Sequence, residues 1–351
     1  MGLPEIIVTF KSLAVSAVQR SQRGIVALIL KDDTGTFDTK EYKSISEIES
    51  TDWTAQNLDY IQKTFLGIPS KVIVERLDAD ALDYNDALKR LKSKKWNYLA
   101  IPGIEVADVS SVSTWIKTER DVNKATYKAV LPNNKADHEG VINFTTEGIT
   151  AEGKVYSASD YTGRIAGILA GLPFSRSATY YVLPEVEAIT EIADPNEAID
   201  AGELILVNDG SKIKIGRGVN SLTTTTVEKS ADFKKIKIIE GMDLIKEDIV
   251  ATFNDSYVGK VNNNYENQTL FLSSVNSYLA SIEGDILDPL AENRVDVDVA
   301  AQRLAWESTG LDTTELTDQQ IKEKSFQSKV FVGGSAKFLD AMEDLFFNIN
   351  M

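Results

Sequence analysis

The chain has 351 residues, 53 acidic against 37 basic side chains, a formal net charge of −16 and 43% hydrophobic residues. That balance is too apolar for disorder, and a chain this long buries most of its unfolded surface, ordinarily as two or more domains. Cysteine is absent and histidine occurs once, at His138, which excludes disulfide scaffolds, thiol nucleophiles and Cys- or His-rich metal sites, while the acidic excess argues against a nucleic-acid binder.

Met1–Phe10 has no basic n-region and no small-residue cleavage site, so it does not read as a signal peptide. The longest clean apolar run, Ile25–Leu30, falls far short of the ~20 residues of a membrane helix. The product is expected to stay in the cytoplasm or leave it by a route other than secretion. Glu5–Val18 alternates, with Ile6, Val8 and Phe10 on one face, and reads as a strand; Ser16–Gly24 reads as a polar linker.

From Gly24 to about Leu183 strands and helices alternate. Ile25–Leu30, Val72–Arg76, Trp96–Ile101 and Thr126–Leu131 read as strands. Trp53–Leu66, Asp80–Lys92 (capped by Asp80) and Asp108–Arg120 read as the helices between them. Strands separated by single helices point to right-handed crossovers and a mostly parallel, covered sheet. A helix near Ser159–Gly171 closes this region, and its Gly163, Gly167 and Gly171 stripe lets another backbone approach closely.

After Pro184 the pattern changes to α+β. Glu203–Val207 and Lys212–Gly216, joined by Asn208–Asp209–Gly210–Ser211, carry a hairpin signal. Thr223–Val227 and Lys235–Ile239 add β-like runs; Met242–Tyr257, Asn264–Ile282 and Val297–Ser308 read as helices. Val330–Val332 is apolar, Gly333–Lys337 reads as a hinge, and Leu345, Phe347 and Ile349 alternate at the end. The expected division is therefore an N-terminal arm and linker at 1–23, an α/β domain at 24–184, an α+β domain at 185–340 and a C-terminal arm at 341–351. Charge is segregated: Ser211–Lys237 holds seven basic residues against two acids, and Glu283–Asp318 holds ten acids against two arginines. Opposite blocks of this kind suit head-to-tail self-association.

Catalytic chemistry is not legible. There is no Walker motif, and Gly216–Arg217–Gly218–Val219–Asn220–Ser221 follows a hairpin strand rather than opening a βαβ helix, so it reads as a tight turn. His138 sits in a polar loop without a nucleophile elbow nearby. Asp296 and Asp298 lack the calcium-loop spacing and its Gly. No catalytic residue, cofactor or metal is expected. The informative feature is the pair of apolar terminal strands on polar or Gly-bearing tethers. Either they complete their own sheet, or they add to a sheet in another copy.

Five runs in order carry a resemblance: Asp160–Tyr161–Thr162–Gly163–Arg164–Ile165–Ala166–Gly167; Lys214 to Thr224; Glu240–Gly241–Met242–Asp243–Leu244–Ile245; Asp255 to Asn263; and Asp340–Ala341–Met342–Glu343–Asp344–Leu345. Together they resemble the tail sheath proteins of contractile phage tails, nearest to the short sheaths of Gram-positive prophages and phage-tail-like bacteriocins. The resemblance implies a subtilisin-like α/β domain, without an evident triad here, followed by an α+β domain lying against an inner tube, with extended N- and C-terminal strand arms. It implies a non-enzymatic subunit that polymerises with itself as stacked hexameric rings and contracts to drive the tube through a cell envelope. Its partners would be the inner tube protein, the baseplate and the tail terminator, with no nucleic acid and no membrane insertion. It would be assembled in the bacterial host cytoplasm and act in a virion or tail-like particle. Mapped here, the arms are Pro4–Val18 and Met342–Ile349, with Ile6, Val8, Phe10, Leu345, Phe347 and Ile349 as the donated side chains. The receiving hairpin would present Leu204, Leu206, Ile213 and Ile215, and Lys234, Lys235 and Lys237 are candidates to face the tube. An α/β nucleotide-binding enzyme and another self-assembling shell protein are the competing readings.

Overall fold

The computed structural model describes residues 24–349. The expected N-terminal arm, with Ile6, Val8 and Phe10, lies outside the described residues. The described chain divides into two compact units, residues 24–243 with 340–349, and Leu244–Leu339.

In the larger unit the elements run β1 (Ile25–Lys31), β2 (Thr39–Tyr42), α1 (Ala55–Phe65), β3 (Lys71–Leu77), α2 (Asn85–Leu91), β4 (Tyr98–Ala100), α3 (Val106–Asp121), β5 (Lys128–Pro132), β6 (Val141–Phe144), β7 (Ile149–Ala151), β8 (Lys154–Tyr156), α4 (Ala158–Gly171), β9 (Val186–Ala188), α5 (Pro195–Asp200), β10 (Glu203–Leu204), β11 (Leu206–Asn208), β12 (Ile213–Ile215) and the start of α6 (Ile236–Ser256). A seven-stranded sheet has the order β10-β6-β5-β4-β1-β3-β2, and every neighbouring pair is parallel except β2 with β3. The alternation along β1 explains the layering. Val26, Leu28 and Leu30 pack into the core under α1 and α4, while Ile25, Ala27 and Ile29 pack into a second core under α2 and α3. A sheet buried on both faces reads as a continuous apolar run, which is what Ile25–Leu30 is.

The Gly stripe of α4 does what its spacing predicts. A Cβ on Gly167 would lie 2.0 Å from the carbonyl oxygen of Thr64, and one on Gly67 would lie 2.0 Å from the carbonyl carbon of Gly167, so the end of α1 and the body of α4 meet backbone to backbone. Ser157 and Asp160 form a capping box that fixes where α4 begins.

Several expectations are corrected. Asp80 caps nothing, because α2 begins only at Asn85, after Tyr84. Lys235–Ile239 is the opening of α6, not a strand: Ile236 and Ile239, three residues apart, are both buried, which a helix face allows. Thr223–Val227 forms no strand. The change of pattern at Pro184 is not a unit boundary. The chain after it returns to the main sheet as β10, parallel to β6, and the units divide at Asp243/Leu244.

The smaller unit contains the rest of α6, then α7 (Tyr265–Ser281), β13 (Arg294–Val297), α8 (Val299–Glu307), α9 (Asp318–Glu323) and β14 (Val332–Ser335). Asn264 caps α7, Asp298 caps α8, and Thr317 with Gln320 forms a capping box on α9. β13 and β14 pair antiparallel from Arg294↔Ser335 to Val297↔Val332. Gly333–Lys337 is therefore in part an edge strand rather than a hinge.

Candidate assembly interface

The C-terminal segment is held at its root and left open at its tip. Asp340 pairs with Lys235, Arg217 binds Asp344 at 2.6 Å and Glu343 at 3.4 Å, and the hydroxyls of Ser177 and Thr179 donate to Glu343 at 2.8 and 2.6 Å. The hydrogen bond to Asp344 raises the Arg217 guanidinium above its ordinary pKa. The hairpin-following Gly216–Gly218 turn is what presents Arg217, and Thr179 also accepts the N–H of Gly218 at 2.9 Å, which ties the socket together. Beyond Asp344 the segment belongs to no strand. Leu345, Phe346, Phe347 and Ile349 are 87, 91, 74 and 71% exposed. Four large apolar side chains in five consecutive residues, all in water, form a patch of the kind that marks an interaction site.

The hairpin expected to receive an arm is already engaged. Its ladder is β11–β12, Leu206↔Ile215 to Asn208↔Ile213, whereas Leu204 belongs to β10 in the large sheet. On the far side of β12, Tyr180 and Leu183 donate to Ile215 and Ile213, and Ile215 donates to Tyr181, each at 2.9 Å. On β11 the N–H of Leu206 donates to Thr146 Oγ1 at 2.8 Å. Leu204, Leu206, Ile213 and Ile215 are all core side chains.

The open edge is β14. On the outer side of β13, Val295 exchanges two hydrogen bonds with the side chain of Asn276, at 2.8 and 3.0 Å, which blocks that edge. Since Val295 turns its backbone groups away from β14, its opposite residue Gly334 turns its own away from β13. Among the described residues β14 is paired on one side only, and Val332, Gly334 and Ser335 are exposed. A Cβ on Gly334 would lie 2.2 Å from the carbonyl oxygen of Arg294, so the strand can be this close to β13 only with glycine. Within the Gly-Gly pair that reads as a hinge in sequence, Gly334 is thus what lets an edge strand lie this close to β13.

The lysines expected to face a tube are less available than their spacing suggests. Lys234, Lys235 and Lys237 are half-buried at the entry to α6; Lys235 is paired with Asp340, and burial lowers the Lys237 ammonium. The wider basic block is also largely paired within its own unit, Lys214 to Asp209, Arg217 to Asp344 and Lys229 to Glu139. In the acidic block Asp288, Asp296 and Asp318 pair with Lys337, Lys322 and Arg303. Asp298 is engaged as the α8 cap.

His138 is buried, not looped out in water. Its Nε2 lies 3.3 Å from Asp121 and 3.8 Å from Glu139, and its Nδ1 accepts the N–H of Gly140 at 3.0 Å. Ser221 bonds the main chain of His138 and not its ring, so the trio lacks the geometry of a nucleophilic triad. Glu139 is paired with Lys229 at 2.9 Å. No helix among the described residues is long and apolar enough to cross a membrane.

Comparison with known proteins gives a consistent outcome. Residues 78–221 match the family model of the phage tail sheath protein central domain, and residues 228–351 that of the phage tail sheath C-terminal domain. The tail sheath protein of Clostridium phage phiCD119 is 38% identical over 100% of this chain and 99% of its own. Among solved structures, a sheath tail protein from Desulfitobacterium hafniense superposes with a TM-score of 0.69 at 18% identity, over 84% of this chain and 94% of the other. The helical sheath of the anti-feeding prophage in its contracted state gives 0.72 at 12% identity, over 100% and 99%. At those identities the likeness is one of fold.

Proposed function

This chain belongs to the phage tail sheath proteins, and from that premise we propose how it works as a structural subunit of a phage or tail-like particle. Copies polymerise as stacked six-membered rings around an inner tube, bounded by a baseplate and a tail terminator, and are assembled in the cytoplasm of a bacterial host. Contraction of the stack drives the tube through a cell envelope. The chain does no catalysis, in keeping with relatives that are structural tail proteins. The observation that carries this reading is the C-terminal segment: rooted on its own body through Asp340, Glu343 and Asp344, it ends in four exposed apolar side chains without a strand partner.

A strand added to another copy resolves that exposure. Its main-chain hydrogen bonds tolerate rotation of the bodies they join, so subunits stay linked while the lattice changes. Of the strand edges described above, β14 suits a receiver better than the β11–β12 hairpin, because the backbone groups of Gly334 turn away from β13 and meet no other strand among the described residues. Heterologous contacts repeated by a screw operation give an open helical assembly, and an extended lattice held by a kinetic barrier stores the contraction.

The test is electron microscopy of the purified protein. The full chain is expected to form tubes. Removal of Met342–Met351, or separately of Met1–Val18, is expected to leave a cooperatively folded protein that forms none. Tubes from either truncated protein would refute strand donation by that arm. A clear thermal stabilisation by nucleotides would favour the competing enzyme reading.

A further inference from the structure

The smaller unit carries a groove of about 400 Å³ that nothing in the reading above uses. Its floor is a packed aromatic trio: Phe253, Tyr257 and Phe271, with ring centroids 5.0 to 6.0 Å apart. Val258 and Val261, both exposed, stand at its rim. Gln268 lines it and is 3% exposed; its Nε2 donates to Asn263, while its Oε1 is buried with no partner among the described residues. Every lining residue is uncharged, and the lining includes Val330, two residues before β14.

We propose that this groove seats Phe347 from the C-terminal segment of a second copy, the residue that Leu345 and Ile349 accompany on one face of an extended strand, and so fixes the register of the donated strand. The inference rests on the strand-donation reading and adds the side-chain lock to it. Three observations choose this occupant. The tip, Leu345–Phe346–Phe347–Asn348–Ile349, is uncharged like the groove, whereas the N-terminal segment Pro4–Val18 carries Glu5 and Lys11. The tip is apolar and in water in each copy, so it needs cover. Its root is pinned at Asp344, and Phe347, three residues on, lies within roughly 10 Å of extended chain, so a strand entering from the Val330 side brings it to the groove before running on along β14.

Phe347 and its neighbours bury only a few hundred Å² on docking, well below the roughly 1,000 Å² of a self-sufficient interface. The lock therefore works inside the polymer, where each copy is already held near the next, and a free peptide of the tip would bind poorly.

The absence of cysteine makes trapping clean. In polymer of the full chain carrying V261C and F347C, mild oxidation is expected to give a ladder of multimers on non-reducing gels. Reductant should collapse the ladder, and neither single variant should give one. Polymer of the double variant that stays monomeric on the gel overturns the proposal. A ladder from V261C with F10C instead also overturns it, by making the N-terminal segment the occupant. As a second readout, V258D/V261D and F347A should keep the melting midpoint of the unassembled chain. Each should raise the concentration needed for polymer about tenfold or more, and the combined variant should be little worse than either. Independent, additive losses would refute a shared lock. Failure of strand donation itself is distinguishable, since tubes would then survive removal of Met342–Met351.

Discussion

His138 shows how little a residue's local sequence says about its surroundings. Its neighbours in the chain are polar, yet the ring is buried against Asp121 and Glu139. Burial holds the imidazole below its ordinary value of 6.5, against the opposing pull of those two carboxylates. The native state thus prefers the neutral ring, and the unfolded chain takes up the proton first as pH falls. The contribution to stability is complete above 6.5 and is lost as pH drops through the lower native value. Denaturant midpoints measured from about pH 7 to about pH 5 should fall for the wild type and fall less for H138N. Curves that stay parallel would mean that the ring's burial has no such effect. Below that range Asp121 and Glu139, whose carboxyls overcome burial to lie under their usual values, add a loss of the same sign.

Among elements, the first turns of α6 are fastened by charge as well as by Ile236 and Ile239. Lys128, 1% exposed, binds Asp243 at 2.7 Å and Glu240 at 2.9 Å; Arg120 grips both Asp243 oxygens at 3.0 Å; Tyr98 donates to Glu240 at 2.5 Å. Removing one member of such a network strands buried partners. D243A should cost about 3–5 kcal/mol in urea unfolding. A loss near the ordinary surface value of about 0.5 kcal/mol would mean that water reaches Lys128 and Arg120 freely. The same turns explain why Lys235–Ile239 imitates a strand. Alternating Lys and Ile satisfies period 2, whereas the ion pairs of Glu240 and Asp243, one and two turns later, are made from a helix. The Leu206–Ile215 hairpin was legible from its Asn-Asp-Gly-Ser turn, but its engagement was not, because Thr146 and Tyr180–Leu183 reach it from distant positions in the chain.

For the molecule as a whole, the socket for residues 340–344 is the feature that assembly should sense. Its ion pairs are partly exposed, so they contribute little to the folding of one copy, about 1 kcal/mol or less each. They aim the tip all the same, and a misdirected tip costs the polymer at every joint. R217E/K235E should therefore leave the melting midpoint nearly unchanged while sharply reducing tube yield. High salt, where the Debye length falls to about 3 Å, should weaken wild-type assembly in the same direction. Normal tubes from R217E/K235E would show that the root needs no anchor.

The parallel α/β core was determined by the sequence itself. A two-sided apolar run at Ile25–Leu30, single helices between strands, and a Gly stripe on α4 leave few other ways to cover the sheet. The apolar alternation of Leu345, Phe347 and Ile349 was equally legible, but whether that tip completes its own sheet was left open by the sequence. Only the tertiary structure decided which edges are already taken. Whether a strand has a free side depends on residues far away in the chain: Asn276 blocks β13, Tyr180–Leu183 line β12, and the backbone groups of Gly334 turn away from β13. Hydrogen-bond partners are a property of the folded neighbourhood, whereas burial on alternate positions is a property of the strand, so periodicity could reveal the second and not the first.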